Sequence, residues 1–91
     1  MPFVTSNNKI EYLSEDGKML AEITFPAIDE NIVNIDHTFV DEVLRGQGVA
    51  GRLMELTAEE LEKTGRKAVA TCSYAKKWFE KYPEKAEKIK R

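Results

Sequence analysis

The chain has 91 residues, 42% of them hydrophobic and 33% charged, with a net charge of −2. That length excludes a second hydrophobic core, and the charge balance gives no bulk attraction to nucleic acid or to an anionic membrane surface. The lone cysteine, Cys72, excludes an internal disulfide, and no apolar run approaches the ~20 residues that span a bilayer. With no signal-peptide pattern at the start, the expectation is one cytoplasmic domain over residues 1–91, without nucleic-acid or membrane partners.

In chain order, "MPFVTSNNK" reads as a short lead-in. Two strands then flank Asp16-Gly17, a strong hairpin signal. In the second, residues 18–25, Met19, Ala21, Ile23 and Phe25 share one face, and Pro26 ends the run. "NIVNIDHTFV" reads as a third strand returning antiparallel to the second, with Val33, Ile35, His37 and Phe39 on one face. From Val49 to Lys63 the period becomes helical, with Ala50, Leu53, Met54, Thr57 and Leu61 on one stripe and Gly65 as the left-handed stop. "RKAVATCS" is a short strand that pairs parallel to the third through a right-handed crossover. A second helix follows from the cap Ser73, with Ala75, Trp78, Phe79 and Tyr82 as apolar positions, and Pro83 breaks it. "KAEKIKR" reads as a solvated face or a tail. The order β-β-β-α-β-α predicts an α+β fold with a mostly antiparallel sheet and one parallel pair.

The chemistry lies in "RGQGVAG", residues 45–51, between the third strand and the first helix. The first N–H groups of a helix have no intrahelical partner and sit at its positive end, so a phosphate can accept from them. Glycines let the ligand approach the backbone. Arg45 and Arg52 add positive charge. No Gly-Lys-Ser/Thr of a P-loop is present. Gly46-Gln47-Gly48-Val49-Ala50-Gly51 spells G-x-G-x-x-G, but it follows antiparallel hairpins and no ribose-binding carboxylate lies about 20 residues on, which argues against a dinucleotide fold.

Arg45-x-x-Gly48-x-Ala50 resembles R/Q-x-x-G-x-G/A, the pyrophosphate loop of the GNAT superfamily of acyl-CoA-dependent N-acetyltransferases. The fuller run "VDEVLRGQGVAGRLM" is similar to that family's V-x-P-E-x-R-G-x-G-[IV]-[GA], with Glu42-Val43 in place of Pro-Glu. "NIDHT", the glycine loop and "TCSYAKKWFEKYPE" together resemble the short YjdJ-type GNAT-like proteins over residues 9–83. The resemblance implies a minimal GNAT-like fold that binds acetyl-CoA and moves its acetyl group to an amine acceptor, either a small amine or a protein lysine. Backbone at Phe39 and Val40 would then bond the pantetheine arm. Amides from Gln47, Gly48, Val49, Ala50, Gly51 and Arg52 would hold the pyrophosphate, with Arg45 contacting phosphate or stabilising the loop.

In the family's N-x-x-A-x-x-x-Y segment, Cys72 stands for the asparagine and Ala75 matches, both as cofactor contacts, while Phe79 replaces the tyrosine. Phenylalanine cannot protonate a departing thiolate, so Tyr74, Tyr82 or Cys72 would have to substitute. Two readings of Cys72 stand side by side: a nucleophile, favoured as thiolate by its helix N-terminus, or a small residue packed beside the cofactor. His37, the only histidine, is either a general base that could also orient Cys72 or a hydrogen-bonded structural residue. No metal site is expected, since no other histidine or cysteine is available. The rival functional class is a CoA-binding or interaction module with little or no turnover.

Overall fold

A meander of short strands opens the chain. In the computed structural model, which describes residues 2–91, β1 (Phe3–Ser6), β2 (Lys9–Leu13) and β3 (Met19–Thr24) pair antiparallel in sequence order. β1 corrects the expectation of a lead-in. Asn8 turns the chain at φ 59°, a left-handed conformation that asparagine tolerates, and Phe3 packs edge-on against Tyr12 at 5.2 Å. The β2–β3 turn takes in residues 14 to 18. The Ser14 hydroxyl bonds the Asp16 carboxylate and holds that carboxyl below its usual range, while Lys18 N–H donates to Ser14 Oγ at 3.1 Å.

The segment expected to be one strand is two. β4 (Ile32–Ile35) and β5 (His37–Val40) meet at Asp36. Asp36 N–H donates to the Thr24 carbonyl at 3.3 Å, and the Thr24 hydroxyl bonds the Asp36 carboxylate. β5 pairs antiparallel with β3, giving a four-stranded sheet in the order β1-β2-β3-β5. The break at Asp36 shifts the alternation. Val33 and Ile35 are fully buried, but Thr38 and Val40 continue that inner side, opposite the core residues Ile23 and Ala21 of β3. His37 and Phe39, expected on the Val33 face, point to the other side of the sheet and are exposed.

α1 (Val49–Thr64) follows a single 3-10 turn at Glu42–Leu44. It buries Val49, Leu53, Met54, Thr57 and Leu61 against β2, β3 and β5. Full burial of side chains such as Leu53 and Leu61 contributes about 1.5–3 kcal/mol each. Buried Thr57 returns its hydroxyl to the Leu53 carbonyl at 2.8 Å, so no polar group is left without a partner there. Gly65 ends the helix at φ 71°, as the sequence predicts.

The crossover then delivers β6 (Lys67–Ala70) parallel to β4. α2 (Ser73–Lys81) begins one residue earlier than expected, with Cys72 rather than Ser73 at the cap, and α3 (Pro83–Glu87) restarts at Pro83, where the missing N–H is harmless. The lysine-rich end keeps its charged residues solvated, as expected, but it is not a loose tail. Ile89 is fully buried, Ala68 N–H donates to its carbonyl at 2.6 Å, and Arg91 N–H donates to Ala68 at 3.0 Å. The α+β class and the single parallel pair stand, with two more strands and one more helix than the sequence suggests.

Candidate cofactor-binding site

The loop between β5 and α1 is built from its own backbone. Asp41 Oδ1 caps Val43 N–H at 3.0 Å, and buried Leu44 pins the 3-10 turn to the core. Gly46 and Gly48 then take φ of 81° and 73°, a region costly for residues with a Cβ, and so swing the chain into the helix. Gly48 caps α1 with no side-chain bond, and the first turn carries no acidic residue. The first intrahelical bond is Arg52 N–H to the Gly48 carbonyl, at 3.0 Å. The N–H groups of Val49, Ala50 and Gly51 are therefore free of helical partners at the positive end of the dipole.

They open into a cavity of 220 Å³ that Val40, Arg45, Gly48 and Tyr74 also line. A methyl group at Gly51 would stand 3.6 Å from Tyr74 Oη, in ordinary contact, so a Cβ fits there and would take up part of the cavity. Burial pushes the Tyr74 phenol up, helped by Tyr82, and keeps it a protonated donor.

One wall of this cavity is the gap between β5 and the start of α2. Thr71 and Cys72 N–H both donate to the Ile35 carbonyl at 3.1 Å, the last contact of the parallel pair before the strands part. Asp41 N–H donates to the Leu20 carbonyl at 2.7 Å, which sets the parity of the β3–β5 ladder. In that parity Phe39 bonds toward β3, while the N–H and C=O groups of Thr38 and Val40 point into the gap. Half-buried Cys72 stands at the closed end of the gap, its Sγ 3.4 Å from Thr38 Oγ1.

The structure thus gathers Val40, Arg45, Gly48, Val49, Ala50 and Gly51 around one cavity, with Arg52 on an adjoining cavity that shares Gly48, Gly51 and Tyr74. Gln47 turns its side-chain amide back onto the Val43 carbonyl at 3.3 Å, supporting the loop. Ala75 is fully buried in α2. Phe39 lies on the outer side of the sheet, 40% exposed. So does His37, whose Nε2 is 3.5 Å from Glu22 Oε2, and the expected approach of His37 to Cys72 is not made. Phe79 flanks a separate cavity with Ala68, Ala70 and Lys76. Thr38 is the residue that sequence reasoning missed. Unbroken alternation from Val33 to Phe39 puts His37 on the inner side, and the side-chain-to-backbone appetite of Asp36 is the one signal for a break. No group of three or more His, Cys, Asp or Glu among the described residues could hold a metal ion.

This arrangement offers anion-binding amides beside a strand with two unpaired rungs, and a thiol 3.4 Å from the Thr38 hydroxyl of that strand. The sequence matches the GCN5-related N-acetyl-transferase family over residues 9–89. It is similar to a GCN5-like protein from Staphylococcus aureus solved by NMR, with 34% identity, 98% of this chain and 86% of that one covered, and a TM-score of 0.79. It shares its fold with the GNAT family N-acetyltransferase YhbS of Escherichia coli in complex with CoA, at 24% identity over 68% of this chain and 38% of that one, with a TM-score of 0.61. The ribosomal-protein-S18-alanine N-acetyltransferase of Escherichia coli is similar over 88% of this chain and 51% of its own, at 20% identity and a TM-score of 0.64. No curated protein matches the sequence. From the loop, its setting between strand and helix, and the match over residues 9–89, the chain belongs to the GCN5-related N-acetyltransferase family.

Proposed function

We propose that the chain binds acetyl-CoA and transfers the acetyl group to an amine, a small amine or a protein lysine, by way of Cys72. One observation carries the reading: the uncapped start of α1 opens beside a gap into which Thr38 and Val40 direct free backbone groups. A pyrophosphate suits the first feature and the amides of a pantetheine arm suit the second, as an added strand would. The thioester would then reach Cys72 at the closed end. The thiol loses its proton to solvent, and Sγ attacks the thioester carbonyl carbon. The tetrahedral intermediate collapses with cleavage of the bond to the CoA sulfur, which leaves as thiolate and is protonated. The acceptor amine attacks the acetyl-cysteine, the carbon–sulfur bond breaks, the Cys72 thiolate returns, and the ammonium proton goes to solvent.

The second reading, a CoA-binding module without turnover, is favoured by Phe79, which has no proton to give, and by the distance His37 keeps from the thiol's side of β5. Calorimetry and mass spectrometry separate the readings. Acetyl-CoA is expected to bind and to leave one hydroxylamine-sensitive acetyl adduct, absent in Cys72→Ala. Binding with neither adduct nor acetylated amine would select the second reading. No heat at high micromolar acetyl-CoA would remove both.

A further inference from the structure

β6 has a partner strand on one side only. β4 takes the backbone groups of its odd-numbered residues: Lys67 N–H donates to the Asn31 carbonyl at 2.8 Å, and Thr71 N–H to the Ile35 carbonyl at 3.1 Å. Ala68 and Ala70 therefore turn their N–H and C=O groups the other way. The end of the chain meets the first of them, in a parallel bridge of Lys90 with Ala68. At Ala70 both groups are without a backbone partner among the described residues. A cavity of 550 Å³ lies along this edge, bounded by α2 and the start of α3. Half-buried Val69 and Phe79, with Pro83, give it an apolar wall. Lys76, Lys90 and Arg91 stand exposed around it, against one side-chain carboxylate, Glu80. None of the three cations has a side-chain carboxylate within 4.0 Å among the described residues, although the chain carries a net charge of −2.

An open strand edge is a template for another backbone, because its N–H and C=O groups are fixed in position and unpaired. The apolar wall suits the alternate side chains of a strand laid along it, and the cations suit carboxylates. We propose that an extended acidic peptide segment of a partner protein adds to β6 as a strand at Ala70. Its apolar side chains settle against Phe79 and Pro83, and its carboxylates meet Lys76, Lys90 and Arg91. Charge decides the occupant. A second copy of this chain, paired edge to edge, would bring the same three cations to face themselves, which like-charge repulsion opposes. The bridge at Ala68 confines the segment to the Ala70 end of the strand. This surface lies apart from the phosphate loop, so the proposal stands independently of the acetyl-CoA reading.

The test is fluorescence anisotropy of the full chain with a labelled, end-blocked octapeptide of alternating Glu and Val. Wild type is expected to bind it at least about tenfold more tightly than the counterpart of alternating Lys and Val, and less tightly as salt rises. Lys76→Glu/Lys90→Glu is expected to weaken binding about tenfold. Ala70→Pro removes the free N–H on the side away from β4, where an edge strand tolerates proline, and is expected to weaken binding about fivefold, as loss of one hydrogen bond would. Thermal melting by circular dichroism checks that each variant is folded. Should Ala70→Pro not fold, the same peptide with N-methylated amides, which cannot pair as a strand, replaces it and is expected to bind wild type at least about fivefold more weakly. No anisotropy change at millimolar chain, equal affinity for the two peptides, or affinity unmoved by the charge changes or by loss of the backbone rung would each overturn the proposal. Comparable binding of oligothymidylate, lost in the same variants, would assign the surface to nucleic acid instead. A dimer in sedimentation that the charge changes dissolve would assign it to a second copy. Either result overturns the proposal.

Discussion

On one side of β5 the molecule offers backbone, and on the other it offers side chains. The inner side presents the helix amides of α1, the free rungs of Thr38 and Val40, and glycines that keep the space open. The outer side presents His37, Glu22 and Phe39 on an otherwise plain sheet face. Backbone groups are positioned by φ and ψ, so recognition there depends on a few residues that permit the conformation. Side chains on an exposed sheet face are held by little; a contact such as His37–Glu22, with the imidazole half exposed, contributes at most about 1 kcal/mol. A chain built this way ties the candidate cofactor side to its fold and leaves its other face free to vary.

The sharpest way to break the contrast is at Gly48. A branched side chain at φ 73° strains the backbone of the cap from which the α1 amides open, although its Cβ would meet nothing within 4 Å. Gly48→Val is expected to lower acetyl-CoA affinity at least about tenfold and to remove about 1–2 kcal/mol of stability. Calorimetry and denaturant unfolding read the two effects separately.

A subtler change probes Tyr74 of α2, which lines both cavities beside Gly48 and Gly51. Its folded pKa lies above the unfolded value of about 10. Its contribution to stability is therefore fully present below that value and is lost as pH rises through the folded pKa. Phenolate absorbance in an alkaline titration should show one tyrosine ionising later than the ordinary range, and Tyr74→Phe should remove that late step. Near neutral pH the group stays protonated, so it should give CoA binding no pH dependence there.

The smallest expected effect is on the outer side. His37→Ala should change stability by less than about 1 kcal/mol and leave CoA affinity and the Cys72 adduct unaltered, as measured by unfolding and mass spectrometry. Loss of the adduct in that variant would mean that the two sides of β5 act as one site.

Much of the cofactor side was legible because its signals are local. Gly48 before Val49, the stripe through Leu53 and Leu61, and Gly65 after Thr64 each announce a feature of α1 through conformational preference or period. The hairpin at Gly17 was legible for the same reason. What escaped depends on partners distant in the chain. The break at Asp36 is made by Thr24, across the ladder, and it reverses which of His37 and Thr38 faces Cys72. β1 escaped because only pairing with β2 makes four exposed or half-buried residues a strand. The seat of Ile89 escaped because a lysine-rich context hides one apolar residue that β6 and its neighbours bury.

The split strand also bears on how the chain folds. Tyr12 meets Ala21 across a tight turn, so the meander can form from neighbours in sequence. Ile32 meets Lys67 only after the whole of α1 has been laid down between them, and that closure is entropically the slower one. Residues 32–40 belong to both events, one half to each sheet. The gap that holds the free rungs of Thr38 and Val40 exists only where the two events meet, so a partly folded chain that carries every strand of the meander still has no place for a ligand to enter.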